Sequence, residues 1–128
     1  MSSKAHVANN TGATRALAEF CAALRFDALP DEVIAKAKTC VLDTLGVCLF
    51  GSTLAPVRKL AAMVAEENCA AQATVFGLPL RTSASHAALV NASSAHAFQL
   101  DEIHIGATLH PGAIAVPVAL AMDFGVSL

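Results

Sequence analysis

The sequence predicts an all-α fold, mostly helical, with at most a short β-leaning segment near residues 73–77. Two observations carry this prediction. Apolar residues recur at helical spacing along most of the chain, and several of these stretches open on helix-start chemistry, at Pro30-Asp31-Glu32, Pro56, Ser83 or Ser85, and Pro111. Only Ala73-Thr74-Val75-Phe76-Gly77 leans towards a strand, and it is too short for more than one arm of a small hairpin.

After a polar tail over residues 1–10, Thr11 or Thr14 is placed to cap a helix running to about Leu24. Leu17, Phe20, Cys21 and Leu24 would form its core face. Leu29-Pro30-Asp31-Glu32 starts the second helix, with acids at the positive end of the dipole, and Gly51-Ser52 stops it. From Cys40 to Phe50 this helix is apolar nearly all round, which predicts a central position and a buried, hydrogen-bonded Asp43. Pro56 begins a third helix to about Asn68. An alanine- and serine-rich helix to about Phe98 follows, its small side chains suited to the close approach of a neighbour. Pro111 fits the first position of the last helix, and Pro117 should kink or split it. Gly125 and Ser127 read as a terminator and a cap for a further helix beyond Leu128, as if the chain were cut off.

A chain of 128 residues fits one domain, here residues 11–128. With 55% hydrophobic and only 14% charged residues, its apolar faces should pack against more protein, either in a homodimer or against the remainder of a longer chain. Charges and prolines interrupt every apolar run that approaches bilayer length, and the N-terminus has no apolar signal core, so a cytoplasmic protein without a membrane partner is expected. Net charge is −2, with no basic cluster, Trp or Tyr, which argues against nucleic acid as a partner. Cys21, Cys40, Cys48 and Cys69 form no Cys-x-x-Cys pair and read as buried thiols.

The chemistry concentrates between His96 and Gly112, where three imidazoles and two carboxylates share one short passage. Imidazole titrates nearest neutrality, so such a cluster suits proton transfer or metal binding. His110 precedes Pro111 and therefore lies at a helix start, where a neutral imidazole could accept a proton while free N–H groups hold an anion. Asp101 and Glu102 fall near the end of the preceding helix, where the dipole disfavours their charge, as a general acid needs. His86 and His96 lack a close acidic neighbour in sequence and read as hydrogen-bonded core or interface histidines. A metal site from His96, Asp101, His104 and His110 is chemically permissible, but the spacing matches no helical His pair or zinc motif, so no metal or other cofactor is expected. No Gly-rich phosphate loop or Gly-x-Ser-x-Gly elbow is present.

Leu29-Pro30-Asp31-Glu32-Val33, Leu42-Asp43-Thr44-Leu45-Gly46, Asn91-Ala92-Ser93-Ser94-Ala95-His96, Asp101-Glu102-Ile103-His104 and His110-Pro111-Gly112, in this order, resemble the N-terminal part of the MmgE/PrpD family from about Ala18 to Leu128. The resemblance implies part of a large helical domain that pairs elsewhere with a smaller α/β domain, in a generally dimeric protein several times longer. It also implies metal-free chemistry on small polycarboxylates, by 2-methylcitrate dehydratase, cis-aconitate decarboxylase or iminodisuccinate epimerase, whose common step is proton transfer beside a carboxylate. His110 matches the family's active-site histidine and Asp101 the first of its paired acids, which makes these two the expected catalytic residues. Glu102, His104 and Gly112 are the expected substrate-binding positions. Gln99 and Ile103 depart from the family pattern, in which an aspartate and a Thr or Ser stand there.

No cation follows Arg81, although gripping a polycarboxylate calls for Arg or Lys. The expectation is therefore a 2-methylcitrate dehydratase-like lyase portion, inactive alone. A decarboxylase or epimerase of the same family, and a non-catalytic helical interaction module or degraded remnant, are the alternatives.

Overall fold

The computed structural model describes residues 12–122, so the tail over residues 1–10, the Thr11 cap and the Gly125 and Ser127 signals lie outside the described residues. The chain divides into two compact units, Met1–Ile34 and Ala35–Leu128. In the first, α1 (Ala13–Ala23) starts on Gly12, whose φ of 148° only glycine adopts readily, and Thr14 sits inside the helix instead of capping it. None of the residues of α1 is buried; Leu17 and Phe20 are more than 60% exposed, so the expected core face is not core in this chain. A 3₁₀ turn, Phe26–Ala28, leads to α2 (Asp31–Gly51), which opens on Pro30-Asp31-Glu32 as its sequence predicts.

The second unit holds the core. Along α2 only Thr44, Cys48 and Gly51 are buried, one line of a helix whose Leu42, Leu49 and Phe50 face outward. Asp43 is exposed, because it lies off that line; burying it would have required a partner, and exposure leaves its charge to water. Of the four cysteines only Cys48 is buried, its thiol donating to the Asn91 carbonyl at 3.2 Å, while Cys21 is exposed and Cys40 and Cys69 are half-buried. Helix α3 (Ala55–Glu66) starts with Pro56 in its first turn and buries Val57, Ala61 and Val64, one face at helical spacing.

Strands β1 (Ala73–Val75) and β2 (Leu80–Thr82) pair antiparallel with Thr74 opposite Arg81, so the β-leaning segment is one arm of a hairpin. Ala73 and Val75 point into the core and Thr74 out, the alternation of a half-buried strand. Helix α4 (Ala84–His96) opens on Ser83, whose Oγ accepts the His86 N–H, and α5 (Pro111–Met122) runs unbroken through a buried Pro117. The packing of α4 against α5 is the most extensive in the fold, and β1 also lies on α4.

Asn91 ties hairpin to helix: its Oδ1 accepts the Phe76 N–H at 2.8 Å and its Nδ2 donates to the Thr74 carbonyl at 3.0 Å. The small residues of α4 do permit a close neighbour, since Gly51 of α2 lies directly against the Ser94 backbone. No single helix among the described residues is long and apolar enough to cross a membrane.

Burial at the α2–α4 contact pushes the Cys48 thiol up from 9.0 to about 11. Unfolding returns the thiol to water, so between pH 9.0 and about 11 the unfolded chain releases a proton that the folded one retains, and stability falls as pH rises through that window. Denaturant titrations at pH 8 and pH 10.5 should show this loss in the native sequence and a smaller one in Cys48→Ala; equal losses would mean that Cys48 does not contribute.

Candidate active site at the junction of α4 and α5

Three residues from the end of α4, the following loop and the start of α5 converge. His96 is the last residue of α4, and the chain turns at once: the Gln99 N–H donates to the His96 carbonyl at 3.1 Å, and Gln99 itself takes a left-handed φ of 54°. This turn brings Asp101 back beneath the helix end. The Asp101 carboxylate is fully buried, with His96 Nδ1 hydrogen-bonded to it at 3.0 Å from Oδ2; His110 Nδ1 also lies 3.2 Å from Oδ2, and its hydrogen bond goes to the Asp101 main-chain carbonyl at 3.3 Å. The two rings meet edge to face with centroids 5.1 Å apart.

A carboxylate can only accept, so each Nδ1 facing it carries its proton and each Nε2 is left with a free lone pair. Both imidazoles line a cleft of about 410 Å³ together with Ala92, Ser93, Ala113 and Ile114. Among the described residues no lysine or arginine lines it. Arg81, the last cation of the sequence, is engaged at the hairpin, donating to Thr74 Oγ1 and to the carbonyls of Ala71 and Gln72.

The expected catalytic pair, Asp101 and His110, is therefore brought together, and His96 joins it. Its sequence looked bland because Asp101 is five residues away, beyond the helix end; only the turn at Gln99 makes them neighbours. Glu102 does not lie at the end of α4. Its carboxylate sits at the start of α5, where Oε1 accepts the Gly112 N–H and the dipole favours negative charge, opposite to the effect expected from sequence. A Cβ on Gly112 would collide with that carboxylate, so glycine is what lets Glu102 occupy the helix start, the place expected to hold a substrate anion. Glu102 Oε2 is buried without a hydrogen-bond partner.

His104 stays apart. It folds onto its own loop, pairing with Leu109 through the backbone and accepting the Ala107 N–H on Nδ1 at 3.0 Å. Ile103 is 54% exposed and Gln99 serves the turn. His86 lies with Nδ1 3.6 Å from the Cys69 thiol, away from the cluster. The ligand atoms of His96, Asp101 and His110 lie within 4.8 Å of one another, a spacing that could also hold a metal ion.

The chain is similar to known proteins over most of its length. The chain is 29% identical over 111 residues to a cis-aconitate decarboxylase of Mus musculus, covering 86% of this chain and 22% of that protein. It is 31% identical over 100 residues to a cis-aconitate decarboxylase of Homo sapiens, covering 77% and 21%. A cis-aconitate decarboxylase-like protein of Aspergillus oryzae (strain ATCC 42149 / RIB 40) is 27% identical over 118 residues, covering 90% and 24%. The chain thus spans about a fifth to a quarter of the length of these relatives. No solved structure matches it. Residues 15–123, which include the whole His96–Asp101–His110 cluster, match the model of the MmgE/PrpD N-terminal domain, and the chain belongs to the MmgE/PrpD family.

Proposed function

We propose that this chain supplies the proton-transfer half of a metal-independent lyase site for a small polycarboxylate. One observation carries the reading: Asp101 holds His110 by a hydrogen bond from Nδ1 to its main-chain carbonyl and a 3.2 Å approach to its buried carboxylate, with Nε2 left for the cleft. Asp101 fixes the tautomer and stabilises the imidazolium that forms when Nε2 takes a proton, the logic of a base oriented by an acid. Beside a substrate carboxylate that chemistry serves two outcomes. In dehydration of a 2-methylcitrate-like hydroxy acid, a C–H proton leaves to the base and hydroxide departs as water. In decarboxylation, the C–CO₂ bond breaks and the carbon takes a proton from the acid. The names of the relatives favour cis-aconitate as the first substrate to test.

Among the described residues the cleft offers no lysine or arginine for the substrate's carboxylates, which supports a site completed by protein outside this chain and a chain that is inactive by itself. The exposed Leu42, Leu49, Phe50 and Ile114 offer apolar surface for that protein, or for a second copy in a homodimer. A cytoplasmic setting fits substrates of this class. The experiment is to assay the intact native protein and the isolated chain with cis-aconitate and with 2-methylcitrate. Release of CO₂ or of water by the intact protein alone is expected. Turnover of neither acid would favour a non-catalytic helical module, and turnover by the isolated chain would overturn its dependence on outside cations.

A further inference from the structure

We propose that His96 is the second acid–base group of this site, coupled to His110 through Asp101 so that one imidazole accepts a proton while the other, as imidazolium, gives one. The proposal rests on the proton-transfer reading above and extends it to a residue whose sequence neighbourhood gave no hint of chemistry. Four observations carry it. His96 has the shorter contact to Asp101 Oδ2, 3.0 Å against 3.2 Å for His110, and also reaches Oδ1 at 3.3 Å. Both rings line the same cleft. His96 spends Nδ1 on the carboxylate and His110 spends Nδ1 on the Asp101 main-chain carbonyl, 3.2 Å from the same carboxylate, which leaves both Nε2 atoms for exchange with a ligand. The His96 side chain is 52% exposed and that of His110 29%, so His96 is the one of the pair open to water.

The charge balance defines the working state. One buried carboxylate neutralises one imidazolium, and a second cation 5.1 Å from the first would lack a counter-charge, because Glu102 is tied to the Gly112 N–H and, among the described residues, no lysine or arginine lines the cleft. The pair therefore holds one transferable proton. In a dehydration, His110 Nε2 takes the proton of the substrate C–H, whose electron pair becomes the new C=C bond, and His96 Nε2–H gives its proton to the departing hydroxyl, which leaves as water. The cation has then moved from His96 to His110, and loss of one proton from His110 and gain of one by exposed His96 through solvent restore the starting state. In a decarboxylation only the giving step is needed, with His96 or His110 protonating the carbon that held CO₂.

The test is made in the intact protein. His96→Asn keeps a donor where Nδ1 stands, and so keeps the hydrogen bond to Asp101, but cannot carry a proton. We expect kcat to fall about 100-fold with KM little changed, one limb of the pH–rate profile to disappear, and added imidazole to restore part of the rate of His96→Ala. A His96→Asn enzyme with wild-type rate and both limbs would reduce His96 to a hydrogen-bond partner and overturn the proposal. If the wild type turns over neither acid, the proton-transfer reading fails first, and the coupling is read without substrate from the nitrogen resonances of the two histidines. Protonated Nδ1 on both rings and one proton between the two Nε2 atoms, with the His96 signal displaced in His110→Ala, would support the pair; a His96 signal indifferent to His110→Ala and to Asp101→Asn would overturn it.

Discussion

Replacing His110 with alanine in the intact protein should lower kcat by about 10³-fold while KM changes little, and Asp101→Asn should do nearly as much harm. The two effects have different origins. His110→Ala removes the nitrogen that exchanges the substrate proton. Asp101→Asn keeps size and burial but replaces two accepting oxygens by one oxygen and one amide donor. The negative charge that both imidazoles face is lost, while the hydrogen bond from His110 Nδ1 to the main-chain carbonyl at position 101 is kept. An imidazolium forming on either ring at the cleft then has no buried counter-charge beside it, which is where the loss of rate comes from. Circular dichroism and thermal melts would separate this from unfolding, since Asn is close to isosteric. A rate within tenfold of wild type for either variant would mean that the cluster is a structural turn and that chemistry lies elsewhere in the protein.

The parts of the fold legible in sequence are those decided within one turn of helix. Pro30-Asp31-Glu32, Pro56, Ser83 and Pro111 mark their helix starts because cap and dipole effects act over three or four residues. The small residues of α4 announced close packing for an equally local reason, since Ala and Ser leave room for a backbone whatever element supplies it. Apolar character without directional contrast was less informative. Helix α2 is apolar from Cys40 to Phe50, yet only Cys48, Thr44 and Gly51 of its line are buried, because burial depends on which face meets α4 and not on composition.

The site was half legible by the same standard. His110 before Pro111 is a local signature, and Asp101 followed from the family pattern. His96 and Glu102 depended on a loop path that composition does not encode. The turn through Gln99 with positive φ carries Asp101 back to His96, and the remaining loop carries Glu102 forward to α5. A residue expected to feel the negative end of one helix therefore feels the positive end of the next. The Gln99 side chain cannot ionise, and its backbone makes the turn that the pair requires.

Two glycines of α2 offer the strongest test of how α4, and with it His96, is held. Gly51→Ala should destabilise the protein by about 3 kcal/mol, whereas Gly46→Ala should stabilise it by about 0.5–1 kcal/mol. Gly46 lies in the helix interior, where alanine gains roughly 1 kcal/mol over glycine, whereas Gly51 is the last residue of α2 and gains less. The two also differ in what the new methyl meets. At Gly46 there is nothing within 4 Å. At Gly51 the Cβ would collide with the Ser94 carbonyl oxygen and come within 2.7 Å of its carbonyl carbon, and since this is backbone on a packed helix, no rotamer change relieves it. Helix α4 must move away from α2, which opens the contact between Cys48 and the Asn91 carbonyl and shifts the helix whose last residue is His96. Denaturant midpoints of the two variants measure the difference directly. Should Gly51→Ala be as stable as Gly46→Ala, α2 and α4 do not approach at Ser94, and the placement of His96 over Asp101 loses its support from below.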